Sequence, residues 1–153
     1  MRVRIEKCDS GEEEIVIRAQ APDARTSFFA ELVANLSMKY NRRDIVLYSS
    51  GAEYYIPFDE ILYFESSSGK VYAHTARSVY SSEYKLFTIE ELFAPLFVRS
   101  SKSVVVNIDK IVSLRREIVG NGEIYFKDSE KKTYFSRAYY KDLKDKIQRM
   151  RLL

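Results

Sequence analysis

Between Asp44 and Phe135 the chain is a succession of short runs rich in Tyr, Phe, Val and Ile, separated by clusters of Ser, Gly, Pro and Asn. Apolar residues two apart share one face of a strand, and the separators are turn formers, so this stretch is confined to hairpin-connected β-structure. The runs expected as strands are Asp44–Ser49, Glu53–Ile56, Ile61–Glu65, Val71–Thr75, Ser78–Tyr84, Phe97–Val106, Ile111–Arg115, Glu123–Lys127 and Lys132–Phe135. Twelve Tyr and nine Phe, with no Trp, suit pleated and half-buried surfaces. Val104-Val105-Val106 has no polar alternate and reads as a strand buried on both faces. In Gly120-Asn121-Gly122 the Asn-Gly pair predicts the positive φ of a tight hairpin turn.

Three segments carry the helical period instead. After Pro22-Asp23, residues Phe28, Phe29, Leu32, Val33 and Leu36 predict an amphipathic helix ending near Asn41. Thr88-Ile89-Glu90-Glu91 has the form of a capping box, with Phe87 and Leu92 as its hydrophobic staple and Pro95 as its stop. Tyr140, Leu143, Ile147 and Met150 predict a basic C-terminal helix with Ser136 as N-cap. A leading hairpin, Met1–Cys8 and Glu14–Ala19 around the turn Asp9-Ser10-Gly11, completes the reading. The expected organisation is a β-β-α extension over residues 1–44 and a mainly β domain over 45–153.

Composition bounds the function. At 153 residues, 46% of them hydrophobic, the chain can bury a core. No apolar run is long enough to span a bilayer and no charged-then-apolar leader opens the sequence, so a cytoplasmic protein is expected. Cys8 is the one cysteine, which excludes an intrachain disulfide and a cysteine-built zinc or iron–sulfur site. His74, the one histidine, falls in a strand with no nucleophile-elbow pattern elsewhere. None of the five glycines forms a phosphate-cradling motif. The runs Glu12-Glu13-Glu14 and Glu90-Glu91 are explained by a solvated turn and a helix start. No enzyme, cofactor, metal site or small-molecule substrate is expected.

Charge is unevenly placed. Residues 1–44 are neutral overall, 45–95 carry −4 and 96–153 carry +7. A basic last third favours a polyanionic partner, either nucleic acid or an anionic membrane surface. Three elements could serve it. Arg99, Ser101, Lys102 and Ser103 group cations and hydroxyls suited to phosphates and guanine edges, although a polar loop before Val104 has the same composition. Arg137 in the first turn of a helix opposes the helix dipole, a local rule broken without structural return. Ser66-Ser67-Ser68-Gly69-Lys70 presents Lys70 at a hairpin tip, or is simply a flexible turn.

Taken together and in this order, these pieces resemble the LytTR family of bacterial DNA-binding domains over roughly residues 45–150. The resemblance rests on Ile56-Pro57-Phe58-Asp59-Glu60-Ile61-Leu62-Tyr63-Phe64-Glu65 and on the Thr88–Leu92 helix. It continues through Phe97-Val98-Arg99-Ser100-Ser101-Lys102-Ser103-Val104-Val105-Val106-Asn107-Ile108 and Phe135-Ser136-Arg137-Ala138-Tyr139-Tyr140-Lys141. It implies a compact antiparallel β domain with short helices. It also implies a transcriptional regulator whose loops enter successive major grooves of double-stranded promoter DNA. Base-edge contacts then fall to Lys70, Lys102 and Arg137, and phosphate contacts to Arg99, Ser101, Ser103, Lys141 and Lys144. Asn107 is expected to fix a turn.

Two departures qualify the likeness. Where the family often has His-Arg before the serine of the central block, this chain has Ser101-Lys102, and lysine lacks arginine's rigid fork. The 44-residue leader is too short for a receiver domain, so phosphorylation of Asp9, Asp23 or Asp44 is not expected. The leader is either a structural extension or a homodimer surface built on Phe28, Phe29, Leu32 and Leu36. Relatives of this short type make a restraining membrane protein a conceivable partner. The rival reading is a protein-interaction or membrane-surface module using the basic C-terminal helix.

Overall fold

The computed structural model describes residues 16–18, 23–40, 44–94 and 96–151, with residues 35–40 described by backbone alone. The leading hairpin lies outside the described residues except for 16–18, which form no strand. The first element is helix α1 (Ala24–Tyr40), close to its expected bounds. Asp23 caps it: Oδ1 accepts the Thr26 N–H at 2.8 Å and the Thr26 hydroxyl at 2.7 Å, bonds that hold this carboxyl below its ordinary range. Phe28, Phe29 and Leu32 are half-exposed, and the Leu36 side chain is outside the description.

Strands β1 (Asp44–Ser49), β2 (Ala52–Pro57), β3 (Ile61–Ser67), β4 (Lys70–Thr75) and β5 (Val79–Ser82) follow. A 3-10 turn over Phe58–Glu60 stands where Pro57 interrupts the β pattern. Helix α2 (Leu86–Leu92) leads to β6 (Phe97–Ser101), β7 (Val104–Asn107), β8 (Ile111–Arg116), β9 (Gly122–Phe126) and β10 (Lys132–Phe135), and helix α3 (Arg137–Arg151) closes the order. The strands form a seven-stranded sheet, β2-β1-β5-β4-β3-β7-β6, and a three-stranded sheet, β10-β9-β8. Every pairing is antiparallel. The chain is thus mainly β, as its period-two runs require.

Each face of the large sheet carries its own core. On one face Ile45, Leu47, Ile61, Phe64, Ala73 and Val105 pack under Leu86, Ile89 and Phe93 of the α2 segment. On the other, Leu62, Tyr63, Val98, Val104 and Val106 meet Ile124 and Phe126 of the small sheet, Phe135, and Leu143 of α3. A bulge in β3 between Ile61 and Tyr63 lets Leu62 and Tyr63 point to the same side consecutively. Tyr140, Ile147 and Met150 add to the second core, so the helical stripe of α3 docks as its spacing predicts.

Three local expectations are corrected. Phe97–Val106 is not one strand but a hairpin, β6 and β7, turning at Lys102-Ser103. The capping box does not start α2: the helix begins at Leu86, with Lys85 at the N-cap and no side-chain cap. An earlier start buries Leu86 to 6% exposure and puts Ile89 and Phe93 on the same face. Burying such side chains, at roughly 1.5–3 kcal/mol each, outweighs a cap of about 1 kcal/mol. The staple residues Phe87 and Leu92 consequently face solvent at 55% and 48%. Finally, Asn121-Gly122 is not the turn: the positive φ belongs to Gly120, and Gly122 already lies in β9.

His74 and Glu65 form a polar pair on β4 and β3, with Nε2 and Oε1 2.9 Å apart. The His74 ring stacks on Tyr63 at 4.2 Å and Tyr63 on Phe126 at 5.5 Å, joining the two sheets. Burial pushes the Tyr63 phenol up to about 12. Lys131 also bridges the sheets, donating from Nζ to the Ser78 carbonyl at 2.7 Å.

Two predictions follow from this packing. A Cβ on Gly122 would fall on the Arg115 carbonyl oxygen and within 2.5 Å of Phe135 Cζ. Gly122→Ala should therefore lower stability in urea unfolding by about 1–3 kcal/mol. Burial holds the His74 pKa below its ordinary 6.5 despite the Glu65 carboxylate. The unfolded chain then binds a proton more readily, so stability should fall as pH drops through 6.5. His74→Gln should flatten that slope in unfolding titrations between pH 7.5 and 5.5.

Candidate nucleic-acid interface

Lys70, Lys102 and Arg137 are all exposed, Lys102 within a turn and the other two at the first residue of an element. The β3–β4 turn is a two-residue loop, Ser68 at φ 50° and Gly69 at φ 77°, which delivers Lys70 as the first residue of β4. In the β6–β7 hairpin, Lys102 occupies the turn itself. Arg137 opens α3 immediately after β10.

A chain of hydrogen bonds links these three turns. The Ser66 N–H donates to the Ser103 carbonyl at 2.8 Å, tying the Lys70 hairpin to the Lys102 hairpin. The Ser103 and Tyr134 hydroxyls are 2.6 Å apart, and the Ser100 hydroxyl donates to the Tyr134 carbonyl at 2.9 Å. The Ser136 N–H donates to the Ser100 carbonyl at 2.9 Å, so the segment leading into Arg137 lies along β6. One row of loops results, drawn from both sheets.

The other predicted residues divide. Lys141 and Lys144 are exposed on α3. Ser103 is part-buried at the turn. Arg99 is turned to its neighbours: Nε donates to Glu90 at 2.8 Å, the NH2 nitrogen lies 2.6 Å from the same carboxylate, and NH1 donates to the Lys102 carbonyl at 2.9 Å. Ser101 is 2% exposed, and its hydroxyl accepts the Ser103 N–H at 3.3 Å. Both residues therefore shape the Lys102 turn. Asn107 is fully buried, donating to the Ile61 carbonyl and accepting the Asp109 N–H.

Sequence reasoning missed the loop that braces Arg137. Ser136 stands at the N-cap position of α3 as expected, its carbonyl accepting the Tyr139 N–H at 3.0 Å, and Asn121 adds a side-chain cap, its Oδ1 accepting the Arg137 N–H at 2.8 Å across a separation of sixteen residues. Gly120 lies so close that a Cβ there would meet Arg137 Cδ at 3.1 Å. Arg116 sits over the Tyr140 ring at 5.2 Å, adding a cation beside the first turn of α3. The Arg115-Arg116 doublet at a strand end was the available signal; the reach of Asn121 had none, because it depends on the β9–β10 register, which sets Gly122 opposite Phe135.

The opposite ends of these strands look different. There a cleft of about 590 Å³ is lined by Asp59, Glu60, Asp109 and Asp128 as well as Arg77, Lys110 and Lys127. Mixed signs suit a polyanion poorly. Among the described residues no helix is long and apolar enough to cross a membrane.

The sequence profile of the LytTr DNA-binding domain matches residues 52–148. The chain belongs to this family. Uncharacterized HTH-type transcriptional regulators of Staphylococcus aureus strains NCTC 8325, COL and N315 are each 30% identical to it over 92 residues. That alignment covers 60% of this chain and 62% of each relative, so the chain spans under two thirds of their length. Among solved structures, a LytTr DNA-binding domain assigned to a methyl-accepting/DNA response regulator of Bacillus cereus superposes with a TM-score of 0.64 at 18% identity. It covers 70% of this chain and 98% of that one, and the likeness is one of fold. Strand β1 lies outside the profile match and is paired between β2 and β5 in the seven-stranded sheet.

The cap makes a stability prediction. Asn121→Ala should cost about 1 kcal/mol in urea unfolding and speed amide hydrogen exchange in the first turn of α3.

Proposed function

We propose that this chain binds double-stranded promoter DNA with sequence preference and regulates transcription in the cytoplasm. The observation that supports the reading is that hydrogen bonds tie together the loops bearing Lys70, Lys102 and Arg137, all three of which are exposed. Membership of a DNA-binding family and the +7 charge of residues 96–153 support it.

The chemistry divides between these side chains. Lys102 and Arg137 donate to base edges in the major groove, Arg137 bidentately to a guanine, with Lys70 as a third reader. Ser103, Lys141, Lys144 and Arg116 hold phosphates and so fix register without selecting sequence. Arg99 and Ser101 act one step back, holding the carbonyl and the N–H of the Lys102 turn. Among the described residues α1 and α2 are each followed by a strand and α3 comes last, so no two consecutive helices form a recognition pair. Reading by loops fits this architecture. Two copies pair through α1, where Phe28, Phe29 and Leu32 remain half-exposed, and place their loop rows on repeated half-sites.

Selection of duplexes from a random pool tests the reading directly: an enriched motif with a steep salt dependence is expected. Arg137→Ala should relax preference at one base pair, at about 1–3 kcal/mol. Lys144→Ala should weaken cognate and scrambled duplexes alike and reduce the salt slope by about 1. Equal behaviour of the two variants would refute this division of labour.

A further inference from the structure

The loop that braces Arg137 ends in an unusual tip. The Gly120 N–H donates to the Glu117 carbonyl at 3.0 Å, closing a four-residue β-turn whose two central residues are Ile118 and Val119. The Glu117 N–H donates to the Asn121 carbonyl at 2.8 Å and locks the base. Central turn positions favour Pro, Asn, Asp, Ser and Gly, whose local chemistry suits them. Here two β-branched aliphatic residues stand instead, Ile118 at 107% exposure and Val119 at 76%. They add nothing to either core, while Glu117 is the anion at the base. A rule of turn composition is broken at a point with no return in stability, which marks a contact made with something else.

The position says with what. Gly120 packs on the aliphatic stem of Arg137, and Asn121 caps the helix that Arg137 opens. The tip is therefore rigidly joined to the end of the row of cationic turns, with Arg116 beside it on β8. The apolar feature that a major groove offers is the C5-methyl of thymine. We propose that Ile118 and Val119 form a fourth reading element, packing on thymine methyl groups next to the base pair read by Arg137. This rests on the DNA-binding reading above, and it adds an apolar term to a row otherwise made of donors.

The test uses the whole chain. Duplex selection should show thymine enriched at one or two positions adjoining the pair whose preference Arg137→Ala relaxes. Replacing those thymines by deoxyuridine, which removes only the methyl, should weaken wild-type binding about threefold to fivefold per position. The double variant Ile118→Ser, Val119→Ser should bind the thymine duplex as weakly as the wild type binds the uracil duplex, and should not distinguish the two. Both side chains are exposed, so its urea midpoint should match the wild type. If the wild type binds its selected duplex but is indifferent to the methyls, the proposal falls while the DNA reading stands. Loss of affinity in the variant with no response to uracil also overturns it, pointing to a backbone contact or a wedge. Failure of the wild type to bind duplex DNA removes both. A monomer–dimer shift in the variant, with methyl sensitivity intact, would reassign the tip to a contact between copies.

Discussion

The place of the Lys102 turn depends on strand β7 being buried from both sides. Val105 faces the core under α2, while Val104 and Val106 face the core shared with the small sheet and α3. Each of these valines is at most 1% exposed, and the two clusters have no other strand so short and so fully enclosed. The Lys102-Ser103 turn runs directly into this strand, so its place is set by packing on two fronts. A loop attached to a strand held on one face could tilt; this one cannot tilt without opening a core.

Around that anchor, backbone and hydroxyl groups are used to bring distant segments together. Ser66 and Ser136 link through their main-chain N–H groups, and Ser100, Ser103 and Tyr134 through their hydroxyls, which both donate and accept. The cations stay outside the network, apart from Arg99, whose guanidinium joins Glu90 of α2 to the Lys102 carbonyl. Neutral groups thus build the platform, and charged ends remain available to a polyanion. Arg151 secures the far end of α3 through the Ile108 and Ile111 carbonyls, so the helix is held at both ends.

Much of this was legible in the residues. Strand runs such as Lys132–Phe135 coincide with β10, and the stripe Tyr140, Leu143, Ile147, Met150 docks as its period indicates. The pattern is readable because burial acts on each strand or helix separately. Where two local signals competed, the reading failed. Thr88 and Glu91 form a plausible capping box, yet Leu86 drew the helix start earlier because its burial outweighs a cap. Asn121-Gly122 has turn chemistry, yet Asn121 serves α3 and Gly122 is required by the nearness of Phe135 and the Arg115 carbonyl.

By itself the sequence determined the β class, the helices α1 and α3, the double burial of Val104–Val106 and the exposed cations at or beside turns, since each follows from periodicity or from residue chemistry over a few neighbours. Only the tertiary structure decided which turns are tied together, that Arg99 and Ser101 bond within their own hairpin, that Asn121 bonds the first turn of a helix sixteen residues away, and that Gly120, next to the exposed Ile118-Val119 tip, packs on Arg137. Those relations depend on sheet order and on contacts between segments distant along the chain, and no local pattern encodes a distance across a sheet.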